Sequence, residues 1–245
     1  MPVDKVYPDA KSAVADIPDG ATVLVGGFSS IGGHPGHLLI ALRDQGAKDL
    51  TIVSNSMGVG PPSDKVDRPR GFADVTVLVE NGRVVKGISS FPVSPSPSSP
   101  SPFERLLAEG KATVEVLPQG TMTERMRIAA AGLGGFYTRV GVGTVIEEGK
   151  EKRIFDGEEY ILESPLRGDY ALVHAARADR MGNLVYRGTS RNFNPIMAAA
   201  ARITIVEAEE VVEIGELDPE EIVTPGVYVQ RVVHLPESKI RIWMK

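Results

Sequence analysis

The chain has 245 residues, 42% hydrophobic and 24% charged, with a formal net charge of −5. That suffices for one large α/β domain or two small ones with an ample core, and the acidic balance excludes an electrostatic case for nucleic acid as partner. The absence of cysteine removes disulfides, thiolate metal sites and a cysteine nucleophile together, while a polar, acidic start (MPVDKVYPDA) and the lack of a long apolar run make the cytoplasm the expected address.

Asp9 is placed to cap a short helix over residues 10–17, with Ala13, Val14 and Ile17 on one face, closed by the turn Pro18-Asp19-Gly20. Val23–Val25 then run as a strand into Gly26 and Gly27, and a loop with Gly32 and Gly33 leads to Pro35 and a helical apolar pattern over 36–45. Strand, glycine loop and helix in this order let the backbone approach a ligand and turn the first N–H groups of the helix toward an anion or a carbonyl oxygen. The same glycines suit a tight turn that binds nothing. The pattern is not a dinucleotide fingerprint, because the two GG pairs do not give GxGxxG spacing.

LTIVSN (50–55) is a second buried strand that ends in the small polar residues Ser54, Asn55, Ser56 and Gly58, at the edge where open α/β sheets bind ligands. Asn55 is therefore either a polar finger of a site or the cap of a turn. Residues 58–73 read as a loop. In VTVLVENGRVVKGISS (75–90), Asn81-Gly82 between two β-rich runs predicts a hairpin, with Glu80 as a surface residue at its end rather than a catalytic acid. PVSPSPSSPSP (92–102) predicts an extended, solvated loop.

Phe103–Gly110 is a short helix, and ATVEVLPQGT (112–121) is an alternating strand that leaves Gln119 just past its end, where the amide can donate to a ligand oxygen. The next helix is expected over 121–131 with Thr121 and Glu124 as a capping box. LGGFYTRVGVGT (133–144) reads as a glycine loop and Asp156-Gly157 as a hairpin turn. DYALVHAARADRMGNLVYRG (169–188) is a buried strand followed by a turn at Met181-Gly182-Asn183, in which His174 reads as a hydrogen-bonded core histidine rather than a base. Pro195 and Ala198–Ala201 form a helix, ITIVEA (203–208) a buried strand, and VYVQRVVHLPESKIRIWMK an edge strand and surface tail. His34, His37 and His234 lack metal-ligand spacing with acidic neighbours, so no metal is assigned. The alternation gives an α/β fold, a largely parallel sheet with helices on both faces and β-hairpin insertions, as a single domain over residues 1–245.

In family order, DGATVLVGGF (19–28), LPQGT (117–121), GVGT (141–144), ADRMGNLVYRGTSRNFNP (178–195) and VEIGELDPEEIVTPGVYVQRVV (212–233) resemble the A (alpha) subunit of family I CoA-transferases, the group with 3-oxoacid and 3-oxoadipate CoA-transferases. The resemblance implies a ping-pong transfer of CoA between an acyl-CoA, such as succinyl-CoA, and a carboxylic acid, such as a 3-oxoacid. A glutamate attacks the acyl-CoA, and CoA thiolate opens the resulting anhydride to leave a glutamyl-CoA thioester. It points to Asn55 and Gln119 as oxyanion donors and to Gly26, Gly27, Phe28, Gly32 and Gly33 as the backbone lining the thioester site. Coenzyme A is then a substrate, no cofactor is permanently bound, and the partner is a B (beta) subunit in an α2β2 or similar assembly. The family's nucleophilic glutamate lies in a Ser-Glu-Asn-Gly segment of that partner; Val79-Glu80-Asn81-Gly82 imitates it in three letters only, so Glu80 is not the nucleophile and the chain is inactive alone. Three departures stand out: Pro35 falls one residue late after GGF, Ser56 replaces a second asparagine, and the 92–102 run replaces a more charged segment. The alternatives are another acid pair (acetate, 3-oxoadipate or a dicarboxylate) and a non-catalytic effector-binding α/β domain.

Overall fold

In the computed structural model, which describes residues 4–28, 32–58, 73–94 and 98–235, strands and helices alternate along most of the chain. The elements are β1 (Val6–Tyr7), α1 (Ala10–Val14), β2 (Thr22–Val25), α2 (Gly36–Gln45), β3 (Leu50–Ser56), α3 (Thr76–Val79), β4 (Val84–Phe91), α4 (Pro102–Ala108), β5 (Thr113–Val116), α5 (Gln119–Ala130), β6 (Phe136–Thr138), β7 (Lys152–Phe155), β8 (Glu158–Glu163), β9 (Gly168–Asp179), β10 (Leu184–Val185), α6 (Asn194–Ala200), β11 (Ala201–Val212) and β12 (Arg231–His234). No described helix is long and apolar enough to cross a membrane.

The main sheet runs β1-β12-β11-β9-β2-β3-β4-β5, with β10 beside β9. Every pair along that path is parallel, and among the described residues of this sheet only β10 pairs antiparallel. Alternation on β2 fills both faces: Val23 and Val25 join the core packed under α1, α2, α3 and α4, while Leu24 joins the one under α5 and α6. Each such fully buried aliphatic side chain contributes roughly 2 kcal/mol of transfer free energy. The chain winds outward from β2 through β3, β4 and β5, then returns to β9 and winds the other way through β11 and β12. The winding reverses between β2 and β9, and the C-terminal strand ends beside that switch point are where an open α/β sheet leaves a crevice.

A separate antiparallel sheet, β6-β8-β7, turns at the expected Asp156-Gly157, both at positive φ (50° and 81°). It is tied to the main body by Arg125 of α5, whose Nε donates to the Ser164 carbonyl at 2.7 Å and whose Nη1 donates to Glu115 at 2.7 Å. Buried Glu163 beside it takes Lys150 at 2.5 Å.

Three expectations are corrected. Residues 75–90 do not form a hairpin: 76–79 are the helix α3, and β4 pairs in parallel with β3. Val75, Leu78 and Val79 bury against the core, and Asp74 accepts from the Thr76 N–H at 2.8 Å, which starts the turn. Gly82, at φ 64°, then ends it as Arg83 N–H reaches the Leu78 carbonyl at 3.0 Å. Helix α5 opens at Gln119, with Pro118 at its N-cap position, so Thr121 lies inside the helix and makes no capping box; Glu124 instead pairs with Arg127 at 2.9 Å. Strand β12 is interior, because the two-residue β1 covers its outer side. The expected loop over 58–73 lies almost wholly outside the described residues, as do 95–97 of the proline/serine run and the tail 236–245.

Candidate active site

The C-terminal ends of four adjoining segments meet at one cavity of about 320 Å³, lined by Phe28, Asn55, Ser56, Ser90, Phe91, Pro118 and Gln119. Parallel pairing sets this convergence: Ser56 is level with Phe91, and Ser89 with Val116, three residues before Gln119. Serine hydroxyls lock the strand ends together, Ser54 Oγ donating to the Val25 carbonyl at 3.1 Å and Ser89 Oγ to the Asn55 carbonyl at 2.9 Å. Both sequence-predicted donors are here and touch: Gln119 Nε2 donates to Asn55 Oδ1 at 2.7 Å. An amide pair of this kind spends Asn55's acceptor and keeps further N–H donors on both side chains. Such donors are neutral, so they can hold a carbonyl or carboxylate oxygen without exchanging protons with it. Asn55 is 3% exposed, so a hydrogen bond there works in a low-dielectric setting.

Of the five glycine-loop residues expected at the site, Phe28 lines the cavity. At Gly26, Gly27 and Gly33 the backbone packs closely on its neighbours. Gly26 N–H donates to the Leu172 carbonyl at 3.0 Å and Gly27 N–H to Asn192 Oδ1 at 3.1 Å. A Cβ on Gly26 would sit 1.9 Å from Asn194 Oδ1, one on Gly27 2.2 Å from His34 Nδ1, and one on Gly33 2.5 Å from the Ser190 carbonyl. Gly32 accepts from the Phe28 N–H at 3.1 Å and so closes the loop. The partner of all this is the 188–194 segment, whose asparagines carry roles that sequence reading did not single out. Asn194 is fully buried; its Oδ1 accepts from His174 N–H at 3.0 Å, and its Nδ2 donates to the carbonyls of Gly33 at 3.0 Å and Ser190 at 2.8 Å. Phe193 stacks on Phe28 with ring centroids 6.2 Å apart.

Gly26→Ala should therefore cost about 3 kcal/mol or more, because Asn194 cannot yield 1 Å without breaking buried bonds. Chemical denaturation of the isolated chain checks this; a midpoint within error of the parent would mean the loop accommodates the methyl.

The start of α2 binds a carboxyl group, but an internal one. His37 and Leu38 N–H donate to Glu207 Oε2 at 2.9 and 3.0 Å. Glu207 comes from β11 and is fully buried, so the helix N-terminus that sequence reading offered to a ligand is occupied by the protein's own carboxyl. Burial pushes the Glu207 carboxyl above its ordinary range, opposed by His37 and the two N–H groups. On neighbouring β9, His174 is fully buried as expected, and burial, then the charges of His34, Arg187 and His37, hold it down to about 3. A neutral imidazole follows, although Glu209 Oε1 lies 3.5 Å from its Nε2; Glu209 is already paired with Arg187 at 3.1 Å. Among the described residues no group of His, Asp and Glu could hold a metal ion. Glu80 ends α3 as an exposed residue and does not line the cavity.

Fold and cavity together define an α/β protein with an amide-lined pocket at the C-terminal ends of β2, β3, β4 and β5 of its parallel sheet. A sequence model of the coenzyme A transferase family matches residues 7–235. Over 229 residues the chain is 48% identical to the A chain of a probable succinyl-CoA:3-ketoacid coenzyme A transferase from Bacillus subtilis, covering 94% of this chain and 89% of that one. It is 45% identical over 231 residues to the corresponding chain of 3-oxoadipate CoA-transferase from Pseudomonas putida, covering 94% of each. In fold it resembles an acyl-CoA transferase from Escherichia coli O157:H7 solved as a thioester complex with CoA, with a TM-score of 0.79 at 24% identity; the match covers 97% of this chain and 48% of that longer one. The chain belongs to the coenzyme A transferase family, and along its length it corresponds to the alpha-type subunits of the two-subunit members.

Proposed function

We propose that this chain is the alpha half of a CoA-transferase active site, and that Asn55 and Gln119 are its oxyanion donors. The observation that carries the reading is their mutual hydrogen bond of 2.7 Å at the wall of the strand-end cavity, with Asn55 almost fully buried. In this reading the carboxylate of a beta-subunit glutamate adds to the acyl-CoA carbonyl, and the tetrahedral oxyanion collapses to an acyl-glutamyl anhydride with release of CoA thiolate. The thiolate then adds to the glutamyl carbonyl and expels the first acid as carboxylate, which leaves a glutamyl-CoA thioester; the second acid reverses both steps. Each addition puts negative charge on an oxygen, and preplaced amide donors stabilise it more than they do the ground-state carbonyl.

A volume of about 320 Å³ walled by Phe28, Phe91 and Pro118, with Ser56 and Ser90 hydroxyls, suits the acyl part of a short acid. We assign a 3-oxoacid and succinate as the acid pair by analogy with the relatives, and 3-oxoadipate as the runner-up, since a relative named for it is nearly as similar. The longer E. coli transferase, of which this chain matches about half, suits a division of one transferase unit between alpha and beta chains, assembled as α2β2 or similar.

The test is to incubate acetoacetyl-CoA or succinyl-CoA with this chain, alone and with its beta subunit, trap with borohydride or hydroxylamine, and map the label by peptide mass spectrometry. Label is expected only in the mixture, on a glutamate of the beta chain. An adduct on Glu80 would place the nucleophile here and refute the division of labour.

A further inference from the structure

We infer that Glu207 is a positioning residue for the transfer reaction: held beneath the start of α2, its carboxyl fixes the glycine loop that sets Phe28 in the cavity wall. The loop between β2 and α2 has two ends and a flank. Its first end follows β2, where Gly26 N–H is bound to β9 and Phe28 N–H to the Gly32 carbonyl. Its flank is held by Asn192 and Asn194. Its far end is the first turn of α2, which has no side-chain cap of its own because Pro35 stands at the N-cap position. Two N–H groups of that turn go instead to one oxygen of Glu207.

A glutamate in the apolar strand ITIVEA carries a desolvation cost that its hydrogen-bond partners must offset. β11 carries it to this point by register, Glu207 lying level with His174 of β9 on one side and Val233 of β12 on the other. Facing it are His37, with Nδ1 3.8 Å from Oε1, and His174, level with it on β9; His174 in turn lies near His34 and the Glu209–Arg187 pair. None of Glu207's atoms lines the cavity, so it acts only through the loop. Withdrawing it leaves the first turn of α2 unanchored, and the slack passes through Gly33 and Gly32, both at positive φ, to Phe28. A wall displaced by about 1 Å is enough to cost orders of magnitude in a transfer that depends on geometry.

This inference rests on the cavity being the acyl site, and the experiment separates the two. In the enzyme assembled from alpha and beta chains, kcat and KM for acyl-CoA are measured for the parent, Glu207→Gln, Glu207→Asp, Glu207→Ala and Asn55→Ala, with kcat normalised to sites trapped as the glutamyl-CoA adduct so that loss of folded enzyme does not register. Glu207→Gln keeps an acceptor oxygen in place and should retain kcat within about threefold. Glu207→Asp, shorter by one methylene, and Glu207→Ala should lose tenfold or more in kcat with KM within twofold. If the alanine variant does not assemble, the aspartate variant carries the same expectation. Parental kcat per trapped site in the Asp or Ala variant, with Asn55→Ala impaired, overturns the positioning role alone. Parental kcat in Asn55→Ala as well overturns the site assignment, and the role with it. A Gln variant as impaired as Asp also overturns it, since the acceptor would then be irrelevant.

Discussion

Asn55→Ala, assayed in the enzyme assembled with its beta subunit, is expected to lower kcat by about 10²–10³-fold with little change in KM, the effect of removing one preorganised oxyanion donor. Gln119→Ala should fall in the same range for two reasons, since it removes a donor and also the 2.7 Å bond that orients Asn55. The double variant should then be less impaired than the product of the single effects, because the two amides act as one unit. Asn55→Asp is the sharper probe. It keeps the shape and the acceptor for Gln119 but replaces the donor end with a second oxygen bearing negative charge, next to the place where an oxyanion must form. It should be at least as damaging as alanine. Steady-state kinetics of CoA transfer decides the matter: an Asn55→Asp enzyme with parental kcat would remove the oxyanion role from this residue.

What could be read in the residues beforehand followed from how local the cause was. Val23 to Val25 run into glycines, and Leu50 to Ser56 end in small polar residues, so the strand ends that build the cavity announce themselves by pattern. Asn55 and Gln119 were accessible because each closes such a strand, though nothing in spacing alone brings residues so far apart in the chain into contact; parallel pairing of β3, β4 and β5 does that. The failures have non-local causes. TVLVENG reads as half a hairpin because valine favours strands and Asn-Gly favours tight turns, yet Val75, Leu78 and Val79 gain more from burial against α2 and α4 than propensity costs. Asp74, two residues before Thr76, was the overlooked signal of a helix start. β12 reads as an edge because a two-residue partner such as β1 carries no periodicity at all.

The glycine loop is the instructive middle case. Four glycines before a helix imply close approach, and at Gly26, Gly27 and Gly33 that approach is to Asn194, His34 and the Ser190 carbonyl. A sequence marks a position that tolerates no Cβ without marking what comes near it. Glu207 is the converse. A single acid in ITIVEA is a buried polar group that requires a partner, and that partner, the first turn of α2, lies about 170 residues earlier in the chain.

The second large effect is on stability in acid. His174 is fully buried on β9 and held neutral, down to about 3, by burial and by the charges of His34, Arg187 and His37. An unfolded chain takes up a proton on this residue near pH 6.5, while the folded one does not until about 3. A depressed folded-state value means stability that is complete above pH 6.5 and lost as pH falls through the interval between them, at up to about 1.4 kcal/mol per pH unit from this one residue. His174→Gln, which cannot be protonated there, should therefore be less stable than the parent at pH 7, where the packing of a fully buried ring is lost, but should lose stability less steeply toward pH 4. Carboxylates such as Asp16, held low by the Arg231 guanidinium, add their own acid slope to both chains and cancel in the difference. Urea midpoints at pH 7, 6, 5 and 4 give that difference directly. Converging curves place the acid sensitivity in the imidazole on β9, whereas parallel curves would mean that His174 takes up its proton in the folded chain and that its burial is not what keeps it neutral.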